Sequence, residues 1–323
     1  MNKSIDTDAP ELVMLVGLPG SGKSYLAHNL LIEGYTVHSS DKIREEHSKD
    51  ITNVEVFQLL HNRVKNDLKN NISCVYDATN ISYKRRIGFL RELTKINCFK
   101  KCVVIATPYE VCLQQNTLRE RRVPEEVIER MYRNFDVPYY FEGWDCIELF
   151  YAKDSYKSAY GTWSQFIFDT MTYNQNNRHH AETLGEHCRR CKDYIENHSR
   201  ETTQYDTHTA YAQIVAGAIH DCGKPFCKTF KDSKGECSDA HYYNHEKIGS
   251  YNSLFYDTDT ESTIMKLYIA ALIRWHMQMH FIDAQPHSKS KYQKLLGSEL
   301  YSALEVLHCG DKLAHEHQEK VPQ

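Results

Sequence analysis

Gly17-Leu18-Pro19-Gly20-Ser21-Gly22-Lys23-Ser24 decides the reading of this chain. The stretch fits G-x-x-x-x-G-K-[ST], the phosphate-binding P-loop. The apolar run Leu12–Val16 precedes it and reads as a buried parallel strand, and Tyr25–Leu31 follows it and reads as a helix. That strand–loop–helix context is what the motif requires. Gly17, Gly20, Ser21 and Gly22 make a turn whose backbone N–H groups face a triphosphate, and the helix N-terminus adds a favourable dipole. Lys23 reaches the β/γ-phosphates and Ser24 holds Mg²⁺ in this reading. The expected ligand is ATP or another nucleoside triphosphate.

A length of 323 residues suggests two domains more readily than one. A composition of 41% hydrophobic and 25% charged residues is ordinary for a soluble protein. Met1–Pro10 is polar, and no apolar run approaches membrane-spanning length, so a cytoplasmic protein without a membrane partner is expected. The eleven cysteines show no framework-like spacing. Cys188 and Cys191 form a C-x-x-C with no second pair at zinc-site spacing, which favours reduced thiols. A net charge of −4 argues against a protein that coats nucleic acid, but leaves room for one that grips a strand end through a local basic patch.

Short apolar runs alternate with helical stretches through the first half: Leu12–Val16, Thr36–His38, Cys74–Tyr76, Cys102–Ala106 and Ile147–Phe150. This pattern predicts an α/β domain over residues 1–152, with a parallel sheet and helices on both faces. Ligands of such sheets lie beyond the carboxyl ends of the strands. The P-loop, Asp41 and Asp77-Ala78-Thr79-Asn80 follow the first three runs and should meet in one crevice. Residues 153–180 read as a connector with a polar hinge at Asn174–Arg178. Residues 181–323 read as an all-α domain rich in histidine.

Asp41 and Arg44 are three residues apart at a helix start and so lie near each other. A carboxylate opposite a P-loop suits a general base for an attacking hydroxyl, and a guanidinium pairs bidentately with an acceptor phosphate. Asp77 could be a Mg²⁺ carboxylate or a residue that orients Arg44. The stretch from Gln114 to Arg133 contains Arg119, Arg121 and Arg122 before Val123-Pro124. It reads as an arginine-rich helix that closes over the triphosphate as a lid and stabilises the transferring phosphoryl group. The order P-loop, D-x-x-R, D-x-T-N followed by basic residues, then an arginine lid ending in Val-Pro, resembles the polynucleotide 5′-kinase family over residues 12 to about 140. That resemblance implies ATP and Mg²⁺ on Lys23 and Ser24, Asp41 as base on a 5′-hydroxyl, and Arg44 on the acceptor's phosphate. It also implies that Asp77 supports that pair and that Arg119 and Arg121 belong to the lid. The chain departs from many of that family in carrying Gln115-Asn116 where they carry Arg-Asn, so the main lid arginine is unassigned.

In the second half, His220-Asp221 ends the apolar helix Ile214–Ile219, with Gly223 expected as its C-cap. Three other stripes carry metal-competent side chains on apolar faces: Leu184/His187/Cys188/Cys191, Ile269/Leu272/Ile273/His276 and Leu304/Leu307/His308/Asp311. A buried aspartate must be paired or hold a metal, so these helices beside His220-Asp221 favour a metal site, and His245 offers a further ligand. The set His187, His220-Asp221, His245, His276, Asp311 resembles the HD phosphohydrolase superfamily over residues 180–315. That resemblance implies a first metal on His187, His220, Asp221 and Asp311, and a second through His245 and His276. Mn²⁺, Ni²⁺, Co²⁺, Zn²⁺ or Fe²⁺ suits such ligands, and Lys224 would contact a substrate phosphate. His179, His180, His208, His241, His280, His308, His315 and His317 are expected at the surface or behind the ligands.

Together the two resemblances imply a bifunctional enzyme that heals RNA or DNA strand ends, adding a 5′-phosphate and hydrolysing 2′,3′-cyclic phosphate or 3′-phosphate ends, with a ligase as a separate protein. Two other readings stay open. One is a small-molecule or nucleotide kinase joined to an HD nucleotidase. The other is an HD sensor that gates the kinase.

Overall fold

The computed structural model describes residues 9–47, 51–178, 181–202 and 206–316. His179, His180 and His317 lie outside the described residues. The chain divides into two compact units, one of residues 1–132 with 138–156, the other of residues 133–137 with 157–323.

The first unit is an α/β layer structure, as its alternating runs predict. Its elements are β1 (Glu11–Val16), α1 (Lys23–Ile32), β2 (Thr36–Ser39), α2 (Ser40–Glu46), α3 (Asn53–Lys69), β3 (Cys74–Asp77), α4 (Tyr83–Glu92), β4 (Phe99–Ile105), α5 (Tyr109–Thr117), α6 (Glu125–Tyr132) and β5 (Cys146–Phe150). The sheet order is β2-β3-β1-β4-β5 and every pairing is parallel. β1 is central and buried from Leu12 to Val16, which is why its sequence is a continuous apolar run rather than an alternating one. α3 opens on a capping box, with Thr52 Oγ1 accepting from Glu55 N–H and Glu55 accepting from Thr52 N–H at 2.8 Å. Its Val56, Leu60, Val64 and Leu68 repeat every four residues and bury one stripe.

Arg86 sits in the basic run Tyr83–Arg86, a composition that usually faces water, yet it is 1% exposed. Its Nε and Nη2 donate to the two oxygens of Glu142 at 2.7 Å each, and Nη1 donates to the carbonyl of Asn80 at 2.8 Å. Trp144 Nε1 donates to Glu142 at 3.0 Å. Asn80 in turn donates from Nδ2 to the carbonyl of Leu15 at 2.9 Å. A buried ion pair thus ties the turn after β3 to the end of β1, where the P-loop begins.

The second unit is largely helical. It contains α7 (Trp163–Thr170), α8 (Leu184–Glu201), α9 (Thr207–Ile219), α10 (Lys224–Cys227), β6 (Thr229–Asp232), β7 (Gly235–His241), α11 (His245–Asn252), α12 (Thr263–Ala284), α13 (Lys289–Leu296) and α14 (Ser298–Glu316). The expectation of purely helical structure is corrected by β6 and β7, which pair as an antiparallel hairpin. Their polar, turn-bearing sequence carries no apolar run, so periodicity could not reveal it. α7 lies in the stretch expected as a connector and packs on α8 and α9. Phe135 packs on Tyr251, and Asp136 accepts from Arg274 Nε at 2.6 Å, so residues 133–137 are held within this unit.

Breaking a buried pair leaves an uncompensated charge and costs about 3–5 kcal/mol. Arg86→Ala should therefore lower the stability of the first unit by about that much in urea unfolding. A loss under about 1 kcal/mol, the level of a surface pair, would contradict the structural role given to Arg86 and Glu142.

Candidate functional sites

The P-loop takes its shape from two left-handed glycines, Gly20 at φ +79° and Gly22 at φ +101°. Gly20 is also a close approach, since a Cβ there would lie 2.3 Å from the carbonyl of Cys112. Gly17 N–H donates to the Thr79 carbonyl at 3.1 Å, which anchors the loop to the chain after β3. Thr107 Oγ1 donates to the carbonyl of Ser21 at 2.9 Å. Lys23 Nζ donates to the carbonyls of Gly17 and Leu18 at 3.0 and 2.7 Å. Burial lowers its pKa to about 8, against the opposing pull of Asp77.

A cleft of about 410 Å³ opens beside this loop. Gly20, Gly22, Lys23 and Ser24 line it on one side, with Asp41, Arg44, Asp77, Arg119 and Arg121 around it. The expected convergence at the strand ends is therefore present. Ser39 caps α2 by accepting from Asp41 N–H at 3.3 Å, which fixes the backbone from which Asp41 projects. The Asp41 side chain is 59% exposed, and Arg44 Nη1 lies 3.2 Å from its Oδ1. Arg44 also donates to the Ser40 carbonyl and to Asn53 Oδ1, each at 3.1 Å. Asp77 has different neighbours, Ser39 and Lys23, and burial raises its pKa.

The arginines are not on a helix. α5 ends at Thr117, and Arg119, Arg121 and Arg122 occupy the loop before Pro124. Asn116 clamps that loop: its Nδ2 donates to the Val123 carbonyl at 2.8 Å, and its Oδ1 accepts from Val123 N–H at 3.0 Å. The amide next to the departing Gln115 thus shapes the arginine loop, a role that pattern reading had not found.

The second unit gathers the other expected residues. His187 comes from α8, His220 and Asp221 from the end of α9, His245 from the first turn of α11, His276 from α12 and Asp311 from α14. All are buried. Nδ1 of His220, His245 and His276 lies 2.9, 2.8 and 2.7 Å from the carbonyls of Gly217, Tyr242 and Ile273. Those contacts keep the ring proton on Nδ1 and turn the Nε2 lone pairs inward. His187 Nε2 lies 3.1 Å from His220 Nε2. Two lone pairs cannot face each other at that distance without a cation or proton between them. His187 Nε2 is also 3.1 Å from Asp311 Oδ1 and 3.6 Å from Asp221 Oδ2. The other oxygen, Asp221 Oδ1, lies 3.2 Å from His245 Nε2 and 3.8 Å from His276 Nε2. Asp221 therefore stands between two ligand sets.

The electrostatics suit a cation. Burial opposes charge on Asp221 and Asp311, but Lys224 and His220 for the first, and the surrounding histidines for the second, hold both carboxyls well below the ordinary range. Burial, with His220 and His245 nearby, pushes His276 down to about 3, so its imidazole is neutral and can ligate. His220 moves the other way, its burial outweighed by Asp221 and two cysteines, so a proton there does what a metal would do. The donor set of imidazole and carboxylate fits a transition metal of the Mn²⁺–Zn²⁺ range.

One expectation changes in this unit. Gly223 is not a left-handed C-cap: its φ is −77° and it precedes α10, while His220 ends α9. Glycine is required there because a Cβ would lie 2.1 Å from the His245 carbonyl. Lys224 is 4% exposed, with Nζ 2.7 Å from Asp221 Oδ2 and 2.8 Å from Gln175 Oε1. Sequence reading did not single out Glu182. It set aside His280 and His315, which contact Asp311 at 2.7 and 3.5 Å. Extending the Asp311 stripe by one turn would have reached His315; Glu182 precedes the helix and carries no periodic signal.

Residues 12–138 match the AAA domain family (AAA_33). The L-seryl-tRNA(Sec) kinase of Methanococcus maripaludis is 29% identical over 146 residues, 43% of this chain and 57% of its own length. A protein of Acanthamoeba polyphaga mimivirus named "Putative bifunctional polynucleotide phosphatase/kinase" is 29% identical over 148 residues, 43% of this chain and 32% of its own. The chain thus spans about half and a third of these two relatives. A chain of the Pnkp1/Rnl/Hen1 RNA repair complex superposes with a TM-score of 0.34 at 21% identity, over 41% of this chain and 45% of that one. The AAA match thus falls on the P-loop and the parallel sheet of the first unit, and the two relatives bear names of kinases.

Proposed function

We propose that the chain heals nucleic-acid ends, phosphorylating 5′-hydroxyl ends with ATP and hydrolysing 2′,3′-cyclic phosphate or 3′-phosphate ends. The strand is RNA or DNA, and a separate ligase would join what this chain prepares. The observation that carries the reading is the presence in one chain of two separate chemical sets, the P-loop cleft with Asp41 and Arg44, and the Asp221-centred histidines. The viral relative, whose name includes polynucleotide kinase, supports the phosphorylating half of it.

In the kinase cleft, P-loop amides and Lys23 hold the triphosphate while Ser24 and Asp77 would face Mg²⁺. Mg²⁺, when bound, neutralises charge on the phosphates. Asp41 takes the proton of the attacking 5′-hydroxyl, whose oxygen bonds the γ-phosphorus as the bond to ADP breaks. Arg44 aligns Asp41 and is placed to meet the acceptor's phosphate. Arg119 and Arg121 meet charge developing on the transferred group. In the second unit, His187, His220, Asp221 and Asp311 would hold one ion, and Asp221, His245 and His276 another. Such ions activate water and offset phosphoester charge. Lys224, gripped by Asp221 and Gln175, orients that shared carboxylate and would contact a substrate phosphate.

An RNA with 5′-hydroxyl and 2′,3′-cyclic phosphate ends, incubated with ATP, Mg²⁺ and Mn²⁺, should gain a 5′-phosphate and lose its cyclic phosphate. Conversion at neither end, with phosphorylation of free nucleosides or sugars instead, would favour the small-molecule kinase reading. The Lys23 pKa of about 8 adds a second test. The free protein has lost part of the Lys23 proton near that pH, and bound phosphate restores it. ATP binding should therefore take up about three quarters of a proton at about pH 8.5 and about a tenth near pH 7, read by calorimetry in buffers of different ionisation enthalpy. Equal uptake at both pH values would contradict the buried, charge-sensing role of Lys23.

A further inference from the structure

Two of the ligand residues are gripped from behind, by buried Glu182 and half-buried His315. The Glu182 side chain is buried, and its Oε1 lies 3.3 Å from His187 Nδ1 and 3.0 Å from His315 Nδ1. His315 Nε2 lies 3.5 Å from Asp311 Oδ1, the oxygen that faces His187 Nε2 at 3.1 Å. The rings of His187 and His315 are 4.4 Å apart. Glu182, His187, Asp311 and His315 thus form a closed ring of contacts around one side of the first ligand set.

A buried carboxylate is costly unless it is paired. Here the pairing is with imidazole nitrogens, and it has a consequence for ligation. A carboxylate facing Nδ1 keeps the proton there, leaves Nε2 as a lone-pair donor and makes that donor more basic. His220, His245 and His276 are fixed by backbone carbonyls instead. A carboxylate is the stronger acceptor, and among the four Nδ1 atoms it is that of His187 that faces one. Glu182, His187 and His315 also lie within ligand reach of one another. Ligation there would use Nδ1 of His187, and with Nε2 bound to the first ion the ring would carry no proton. The pairing reading avoids that cost.

We infer that Glu182 is a positioning residue that sets the tautomer and aim of His187 for metal binding, with His315 linking it to Asp311. The inference rests on the metal-site reading above. Mn²⁺ binding to the full chain, followed by calorimetry and by electron paramagnetic resonance, separates the two. Wild type should bind two equivalents. Glu182→Gln should weaken the site of His187 by about 10–100-fold. The site of His245 and His276 should change far less. Glu182→Asp, which keeps the charge, should bind more tightly than Glu182→Ala, and the metal-free melting temperatures of these variants should stay close to wild type. Wild-type affinity at both sites in Glu182→Gln would overturn the inference. So would equal loss at both sites with a lowered metal-free melting temperature, the mark of a merely structural role. A third equivalent that disappears in Glu182→Gln would overturn it in favour of ligation by Glu182 itself. If Glu182→Gln fails to fold, His315→Gln carries the test, with weakening confined to the same site expected and no change contradicting it. Wild type that binds no Mn²⁺ would remove the metal-site reading beneath it.

Discussion

Asp221 is the buried carboxylate around which the histidines of the second unit are arranged. It is 2% exposed and its oxygens face two different groups of imidazoles, with Lys224 against one of them at 2.7 Å. Desolvating a carboxylate so fully is tolerable only among compensating positive charge or protons. The packing around it follows from that need. α8, α9, α11, α12 and α14 each contribute a side chain to the cluster around it, and Gly223 lets α11 approach so closely that any side chain at that position would collide with the His245 carbonyl. Backbone carbonyls then orient three of the rings, so the histidines present lone pairs to a common centre. Packing and ligation are in this sense one constraint: the helices are held apart or together by what the cluster can accommodate.

The first unit solves a different problem. Its phosphate site is made mostly of backbone, so its shape depends on left-handed glycines and on anchors that keep the loop in place. Gly17 bonds to the chain after β3, and Arg86 with Glu142 secures that same turn through Asn80. The cleft's carboxylates come from the ends of neighbouring parallel strands, which brings Asp41 and Asp77 to Lys23 without long-range adjustment. The arginines sit on a loop shaped by a single amide, Asn116.

Much of this was legible in the sequence because it rests on repeating patterns. The parallel strands are continuous apolar runs, and each expected run became a strand at nearly the expected residues. The ligand stripes on α8, α12 and α14 follow helical spacing, so His187, His276 and Asp311 could be placed on inward faces before any coordinates. What periodicity does not carry was missed. The β6–β7 hairpin is polar and short. Arg86 is buried for the sake of Glu142, 56 residues away, which no local pattern announces. The arginines of residues 119–122 read as a helix because their composition favours one, whereas the Asn116 clamp on Val123 imposes a loop. Glu182 precedes its helix and becomes meaningful only when α14 brings His315 beside it.

If the proposed function holds, one chain carries two independent phosphate chemistries, each complete within its own unit. The most direct measurement compares Lys23→Ala and Asp221→Ala, both verified as folded, on a single RNA bearing 5′-hydroxyl and 2′,3′-cyclic phosphate ends. The account predicts a crossed outcome. Lys23→Ala leaves the 5′ end unphosphorylated and still hydrolyses the cyclic phosphate with Mn²⁺, while Asp221→Ala phosphorylates the 5′ end and leaves the cyclic phosphate intact. Loss of 5′ phosphorylation in a folded Asp221→Ala protein would contradict independence and make the second unit a sensor that gates the first.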